Sequence, residues 1–459
     1  MKERSRNGAL IAAILAVSVS ARADSLDALI AARMRQLHLP GVAVAVVEDG
    51  RVKTMRHYGV ASLELETPVT SDTVFELGSL SKQFTAAAVL MLAAEGKIQL
   101  DSSISQYLSD VPDAWKAITV RHLLTHSSGI QEYLAVPGLP DEAHAVDHEE
   151  MTRMFFKRLR LEFRPGETWA YSNSGYLLLG NIIERVSGQS YWSFLQARIF
   201  GPCGMKSTRS SDPRAVIRNR ARGYGFENGS YVNRSPLSEN AYSAGSIVST
   251  LRDMTKWEAA LHAGELLSAE AYSEMWRPLR LTNGAPAPFN YGFGWVTDLR
   301  NGERYVMHSG GTPGFSSAIS RNLDSGITAI VLTNHGDRIL DDLAMEVTGH
   351  EVPPRTGAIE DPAPGRTAHL AHVAAGLWKG VPDPEAFTPA MQQFLATDSG
   401  RGAFQWVASH GELEALVYAG SDAGLGYESL RYRVQTSGGE FRLTFAVTLD
   451  GRIAQVYWW

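Results

Sequence analysis

Two segments near the start of the chain are rich in residues that favour β-strands: 42–47, which is apolar throughout, and 52–60, in which apolar and polar residues are mixed. Asp49 and Gly50 lie between them, and two such runs on either side of an Asp-Gly pair are typical of antiparallel strands joined by a tight turn. The segment ahead of them starts with Ser25 and carries apolar residues at helical spacing, which predicts a capped amphipathic helix. The chain is therefore expected to begin with a helix and a hairpin.

From residue 79 to about residue 200 the apolar positions mostly follow a helical period, and the segment 83–94 is apolar nearly all round, as in a helix buried in a core. Strand-like patterns then return at 304–307, 315–321 and 327–333. Strands that bracket a helical middle predict an α+β fold, in which an antiparallel sheet is flanked by helices and carries an inserted all-helical region.

A proline-rich stretch at residues 352–366 is interpreted as a linker, because proline interrupts helices and central strands. It separates a main domain at 24–351 from a small α+β accessory domain at 367–459. In the accessory domain one helical segment precedes four strand-like segments: 389–395, then 413–418, 430–434, 441–448 and 453–459. No chemistry can be assigned to its residues, so a packing or interaction module is the favoured interpretation.

Residues 1–23 have the pattern of a secretory signal peptide. Basic residues precede an apolar run at 9–17, and Ala21-Arg22-Ala23 supplies a small-residue cleavage site. The apolar run is too short for a stable membrane span. We therefore expect cleavage after Ala23 and export to the periplasm or the medium of a bacterium, with an uncleaved anchor as the alternative.

The composition excludes several classes of function. The chain has 459 residues, is 44% hydrophobic and carries a net charge of -6, so it can bury a large core but has no general attraction to nucleic acids. Cys203 is the only cysteine, which excludes an intramolecular disulfide.

We expect no metal or cofactor, and we leave the oligomeric state open. One polar cluster is interpreted as a solvated face and not a metal site: Asp141, His144, Asp147, His148 and Glu149.

The tetrapeptide Ser79-Leu80-Ser81-Lys82 lies where an extended segment gives way to the buried helix. Residues three apart lie on the same side of a helix, so the Lys82 amine can reach the Ser79 hydroxyl. Serine becomes an effective nucleophile beside a base, and lysine can serve as that base where burial lowers its pKa. The alternative is that Ser79 caps the helix and Lys82 is solvated.

A second candidate segment contains Tyr171 and Asn173, which would point the same way if the segment is extended. As a phenolate stabilised by an ammonium group, Tyr171 could take the Ser79 proton, and Asn173 would hydrogen-bond Lys82 and a substrate carbonyl. The alternative is a buried tyrosine that binds the backbone. Another Tyr-x-Asn, at 231–233, is assigned to an exposed hairpin.

A third candidate segment begins with His308 and ends with Gly310 and Gly311, at the end of a predicted strand where we expect a turn. Paired glycines let a substrate lie against the strand edge, and the amide of Gly311 could join that of Ser79 in an oxyanion hole. His308 would add polar and, when protonated, cationic character beside the acyl group. The alternative is a turn with a satisfied histidine, and the similar segment 126–129 is given a structural role.

The order Ser-x-x-Lys, Tyr-x-Asn and His-Ser-Gly resembles the serine β-lactamase-related family, which includes class C β-lactamases, DD-peptidases, D-aminopeptidases and some carboxylesterases. Further similar segments extend the resemblance from about residue 25 to about residue 350: 40–44, 75–78, 123–129, 165–166 and 291–295. The resemblance implies a β-lactamase/transpeptidase-like fold and a two-step acyl transfer through an acyl-enzyme on Ser79. It further implies that Lys82 and Tyr171 share the proton transfers, with either as the base.

The same resemblance implies that the substrate is bound by four residues: Asn173, His308, Gly310 and Gly311. Class C β-lactamases carry Lys-Thr-Gly where this chain has His308-Ser309-Gly310, and that lysine recognises the carboxylate of the drug. Histidine is a weaker carboxylate partner at neutral pH. We therefore expect esters, D-amino-acid peptides or amides to be better substrates than penicillins or cephalosporins.

Two classes of function follow from these patterns. The favoured class is an exported serine hydrolase that acts on a small-molecule or peptide amide or ester. The alternative is a binding protein that senses cell-wall peptides or β-lactams without turnover, against which the complete set of reactive residues argues. A Ser-His-Asp hydrolase is disfavoured because the sequence has no G-x-S-x-G motif.

Overall fold

A computed structural model describes residues 26–140, 147–234, 239–285, 287, 290–300, 303–336, 340–348, 361–424 and 427–458. The predicted signal peptide and residues 352–360 of the predicted linker lie outside these ranges. None of the helices in the described ranges is both long enough and apolar enough to span a bilayer.

The helices are α1 (26–37), α2 (Ser81–Ala94), α3 (Val120–Leu124), α4 (His148–Arg158), α5 (Asn173–Ser187), α6 (Tyr191–Leu195), α7 (Tyr242–Gly245), α8 (Leu251–Ala263), α9 (Ala269–Met275), α10 (Asp341–Val347), α11 (Pro364–Trp378), α12 (Pro389–Leu395) and α13 (Asp398–Ala408). The strands are β1 (Gly41–Glu48), β2 (Arg51–Ser62), β3 (Thr67–Pro68), β4 (Val74–Glu76), β5 (Arg209–Ser210), β6 (Gly223–Glu227), β7 (Ser230–Arg234), β8 (Ile247–Thr250), β9 (Val296–Arg300), β10 (Glu303–Thr312), β11 (Phe315–Asn322), β12 (Ile327–Thr333), β13 (Leu413–Gly424), β14 (Tyr427–Thr436), β15 (Gly439–Thr448) and β16 (Ile453–Trp458).

Seven strands form the main antiparallel sheet, in the order β3, β2, β1, β12, β11, β10, β9. Its two halves come from opposite ends of the main domain and meet where β1 pairs with β12, with Val44 opposite Val331. The segment between these halves contains α2 to α9. The expected α+β fold with an antiparallel sheet and helices is therefore confirmed, but the insertion is not all-helical, because it also contains β4 to β8, which form a three-stranded sheet and a two-stranded sheet.

The first hairpin has the predicted turn. Asp49 and Gly50 join β1 to β2 with φ angles of 50° and 72°. Both angles are in the left-handed region that a two-residue type I′ turn requires, and this turn matches the natural twist of paired strands. Successive residues of β1 face opposite sides of the sheet, so Ala43 packs with the helical insertion while Val44 packs with the cluster that contains residues of α1 and α10.

Helix α2 lies in the centre of the main core. Its residues from Ser81 to Leu92 are all buried, and the ring of Phe84 lies 4.4 Å from that of Trp257. A helix that is apolar on every side has to be enclosed by other elements, as the sequence pattern predicted. This enclosure removes the first turn of α2 from water.

The elements from α11 to β16, called the accessory domain after the prediction, are the helices α11, α12 and α13 packed on a four-stranded sheet in the order β13, β14, β15, β16. The predicted helix at 389–395 and the four predicted strands are present. The expectation that the linker continues to residue 366 is wrong, because Pro364 begins α11. Proline fits the first turn of a helix, where its missing N–H would have no helical partner.

Candidate active site

Ser79 lies in a 3-10 turn (Gly78–Leu80) that runs directly into α2. Lys82 Nζ lies 2.9 Å from Ser79 Oγ, as the three-residue spacing predicted. The N-cap residue of α2 is Leu80, and no side chain caps this helix, so the alternative of Ser79 as a cap is wrong. Lys82 is also completely buried, which excludes the solvated alternative.

Burial sets the charge of Lys82. Desolvation lowers the pKa of Lys82 to about 7, against the opposing effect of the nearby Glu132 carboxylate. Nζ also lies 2.8 Å from Asn173 Oδ1 and 2.8 Å from the carbonyl oxygen of Ala244. These two oxygens can only accept, so a neutral amine can give one N–H to each and keep its lone pair for the Ser79 hydroxyl.

Tyr171 approaches the same serine from a different part of the chain. Its hydroxyl donates a hydrogen bond of 2.8 Å to Ser79 Oγ. Burial raises the pKa of Tyr171 well above its ordinary value, and the Ser79 hydrogen bond only partly offsets this effect. The structure therefore corrects the expectation of a phenolate, because the phenol stays protonated at neutral pH and acts as a donor.

Asn173 is the first residue of α5, whose N-cap is Ser172. Its carboxamide is oriented by Glu132: Asn173 Nδ2 lies 3.3 Å from Glu132 Oε1, and the Asn173 backbone N–H donates to Glu132 Oε2 at 2.5 Å. This pairing leaves Oδ1 of Asn173 for Lys82. Burial raises the pKa of Glu132, although the bonds from Asn173 and the charge of Lys82 oppose the shift.

Sequence reasoning missed Glu132. It is a single glutamate in a loop, and neither periodicity nor the three motifs marks it. The only available signal is its position shortly after the segment 126–129, which was given a structural role. The structure agrees with that role: His126 Nδ1 accepts the Ser172 N–H at 3.1 Å, and its ring lies 4.3 Å from the ring of Tyr171.

Gly310 and Gly311 lie inside β10, opposite Ser317 and Ser316, so the turn expected at these glycines is wrong. The absence of a side chain at Gly310 allows the backbone of β10 to lie close to the segment that carries Ser79. A Cβ atom on Gly310 would lie 2.0 Å from the carbonyl oxygen of Leu77 and 2.9 Å from the backbone nitrogen of Ser79. Residues without side chains thus bring the edge of β10 against the reactive serine.

His308 is buried and uses both ring nitrogens. Nδ1 donates to the carbonyl oxygen of Ser309 at 2.5 Å, so Nε2 accepts from the Tyr291 hydroxyl at 2.7 Å. Desolvation, together with the charge of Lys82, lowers the pKa of His308 to about 3. The cationic character anticipated for His308 is therefore wrong at neutral pH.

The remaining sequence features lie away from this cluster. The second Tyr-x-Asn belongs to the hairpin of β6 and β7, where Tyr231 is exposed, as predicted. Asp147 caps α4 and His148 pairs with Glu184, whereas residues 141–146 lie outside the described ranges. Within those ranges, no three His, Cys, Asp or Glu side chains are grouped so that they could hold a metal ion.

The fold and the group of side chains around Ser79 define a class of protein, a serine hydrolase with a Ser-x-x-Lys pair. Residues 26–352 match the model of the Beta-lactamase family, and the chain belongs to that family. Penicillin-binding protein 4* of Bacillus subtilis is 33% identical over 63% of this chain and 67% of its own length. A D-aminopeptidase of Gluconobacter oxydans is 29% identical over 69% of this chain, and the match covers 59% of that relative.

Two solved structures are similar to this fold. D-amino acid amidase from Ochrobactrum anthropi, complexed with L-phenylalanine amide, is 27% identical with a TM-score of 0.61, over 71% of this chain and 96% of the amidase. The octameric penicillin-binding protein homologue from Pyrococcus abyssi is 22% identical with a TM-score of 0.62, over 93% of this chain and 96% of its own. The second likeness concerns the fold alone. The family and fold expected from the motifs are confirmed.

Proposed function

We propose that this chain hydrolyses an amide or ester by two-step acyl transfer, with Ser79 as the nucleophile. One observation carries the proposal: Lys82 Nζ at 2.9 Å and the Tyr171 hydroxyl at 2.8 Å meet at Ser79 Oγ, although Tyr171 is 92 residues away in the chain. A serine with a base on one side and a proton donor on the other is suited to nucleophilic attack on a carbonyl.

In the acylation step Lys82 is the base. Its pKa of about 7 leaves a large neutral fraction at physiological pH, whereas the phenol of Tyr171 already carries its proton. Ser79 Oγ forms a bond to the carbonyl carbon as its proton moves to Nζ. When the bond to the leaving group breaks, the Lys82 and Tyr171 pair returns one proton to it, so the pair ends with its starting charge.

In the deacylation step water replaces the serine as the attacking group. The same pair takes a proton from water, the new C–O bond forms, and Ser79 Oγ leaves and regains its proton. We propose that the backbone N–H groups of Ser79 and Gly311 bind the negatively charged oxygen of both tetrahedral intermediates. The two segments that carry these groups lie close together at Gly310. Asn173 holds Lys82 and is positioned to contact the substrate.

The electrostatics of the site favour a particular substrate class. His308 occupies the position of the carboxylate-binding lysine of class C β-lactamases and is neutral, while the Glu132 carboxylate lies behind Asn173. Uncharged or ammonium-bearing substrates suit this environment better than carboxylates. Together with relatives named as D-aminopeptidase and D-amino acid amidase, this favours D-amino-acid amides and short peptides, with esters as reactive surrogates.

We place this activity outside the cytoplasm, because residues 1–23 combine basic residues, an apolar run and an A-x-A site. N-terminal sequencing of the protein secreted by a bacterial host should find Asp24 as the first residue. A product that begins with Met1 and stays in the cytoplasm would contradict export and leave the proposed chemistry untouched.

An assay panel tests the proposed chemistry. D-alanine p-nitroanilide, its L-isomer, a p-nitrophenyl ester and nitrocefin are compared on the full chain, and we expect D-anilide and ester turnover to exceed that of nitrocefin. A fluorophosphonate should add mass to Ser79, and Ser79→Ala should abolish both labelling and turnover. Ser81→Ala is the matched control, because the Ser81 hydroxyl accepts from the Ile247 N–H and does not contact the reactive pair.

Labelling that survives in Ser79→Ala, or a D-anilide rate equal in wild type and Ser79→Ala, would refute Ser79 as the nucleophile. Release of one equivalent of product followed by a persistent acyl-enzyme would instead support the binding and sensing alternative.

A further inference from the structure

The accessory domain contacts the segment that carries Tyr171. At the start of α13, Ser399 Oγ donates a hydrogen bond of 2.6 Å to the backbone carbonyl oxygen of Tyr171. The neighbouring Asp398 binds the same region twice: its side chain accepts from Gln131 Nε2 at 2.5 Å, and its backbone N–H donates to Glu162 Oε1 at 2.9 Å. The first turn of α13 is thus fixed between the Tyr171 segment and the loop that carries Glu132.

Further contacts extend along the same segment. Thr168 Oγ1 donates to the carbonyl oxygen of Ala390 at 2.5 Å, and the ring of Trp169 lies 5.7 Å from that of Phe394. Thr168 and Trp169 are both buried. The two residues that precede Ala170 and Tyr171 are therefore held by α12 of the accessory domain, not by the main domain alone.

A second side of the reactive cluster also rests on the accessory domain. Gln455 Nε2, on β16, donates to the carbonyl oxygen of Ala287 at 2.7 Å and to Asn290 Oδ1 at 2.9 Å. Asn290 precedes Tyr291, whose hydroxyl binds His308. One hydrophobic cluster includes Trp169 and Tyr291 together with accessory-domain residues such as Phe445.

We propose that the accessory domain is a working part of the reaction centre, in which Ser399 is a positioning residue that sets the place of the Tyr171 phenol. This inference rests on the proposed function. The family match ends at residue 352, so the residues that hold Tyr171 from the accessory side lie beyond the matched segment. The Tyr171 hydroxyl meets Ser79 Oγ at 2.8 Å, and a displacement of about 1 Å at such a contact can cost on the order of a hundredfold in rate.

The test is a double-mutant cycle on the full chain, read as the rate constant of acylation by a p-nitrophenyl ester in single-turnover experiments. Ser399→Ala should lower this rate constant about tenfold with little change in the half-saturating concentration, since a lost hydrogen bond and a small displacement lie within the range expected for a positioning contact. Ser399→Thr keeps the hydroxyl and should restore most of the rate. In a Tyr171→Phe background, Ser399→Ala should have almost no further effect.

A matched control separates positioning from general stability. Thr436 Oγ1 lies 2.7 Å from the carbonyl oxygen of His410 and 2.9 Å from that of Gly439, and it accepts from the Gly438 N–H, all inside the accessory domain. Thr436→Val should therefore lower the melting temperature at least as much as Ser399→Ala and leave acylation unchanged.

The inference is overturned if Ser399→Ala acylates like wild type, or if it costs the same factor in the wild-type and Tyr171→Phe backgrounds. A wild-type chain that forms no acyl-enzyme at all would instead refute the proposed function.

Discussion

The pH dependence of acylation is the sharpest test of the structure, because the pKa of a single group, the Lys82 amine, controls it. If Lys82 is the base, only its neutral form is active, and burial places its pKa at about 7. The neutral fraction is then roughly 9% at pH 6 and roughly 91% at pH 8, so the acylation rate should rise about tenfold between these values. Tyr171 stays protonated and His308 stays neutral throughout this range, since their pKa values lie far above and below it.

The assay is kcat/KM for a neutral p-nitrophenyl ester between pH 5 and pH 10, corrected for spontaneous hydrolysis, with stopped-flow acylation at the extremes. A neutral substrate is required so that only groups on the free protein titrate. We expect a single ascending limb with its midpoint near pH 7 and a plateau above about pH 8.

Tyr171→Phe provides the control. The variant should have a lower plateau but the same midpoint, because it removes a proton donor and leaves the buried amine in place. A midpoint above pH 9 in the wild type would show that Lys82 is not desolvated as the structure indicates. A midpoint that disappears in Tyr171→Phe would identify the phenol as the base and refute our assignment.

Three further predictions concern the surroundings of the reactive pair. Glu132→Gln should move the midpoint of the same pH profile to lower pH, because the Glu132 charge raises the pKa of Lys82, and an unmoved midpoint would contradict this coupling. Gly310→Ala should lower the acylation rate at least about a hundredfold, because the new Cβ would overlap the Leu77 carbonyl oxygen. Gly311→Ala is the comparison: a Cβ there meets no described atom within 4 Å, so this variant should keep the wild-type melting temperature. Lys82→Met should flatten the pH dependence of the free energy of unfolding. Between the folded pKa of about 7 and the ordinary value of 10.5 the unfolded wild-type chain binds more protons than the folded chain, so wild-type stability rises with pH. Urea denaturation should show that wild type gains roughly 3 kcal/mol relative to the variant from pH 7 to pH 10, and parallel curves would refute a buried neutral amine.

Much of the fold is encoded locally and could be predicted from periodicity. The first hairpin, the buried helix after Ser79 and the four strands of the accessory domain depend on patterns within a few residues. The errors arose where a local signal has two meanings. Proline is a helix breaker in general, but Pro364 lies in the first turn of a helix, where it is tolerated. Paired glycines are typical of a turn, but Gly310 lies in a strand, where its lack of a side chain allows close contact with Leu77 and Ser79.

The sequence by itself determined the spacing of Ser79 and Lys82 on one helical turn, and the motifs that identify the family, because these depend on neighbours in the chain. Only the tertiary structure decided the charge states of Lys82, Tyr171 and His308, since a pKa depends on burial and on partners far away in sequence.

The same limit applies to Glu132 and Ser399, which no pattern in the sequence marks. Glu132 orients Asn173 across 41 residues, and Ser399 reaches Tyr171 across 228 residues. Such contacts form only when the chain folds, because the backbone brings together groups whose separation in sequence carries no information about their distance in space.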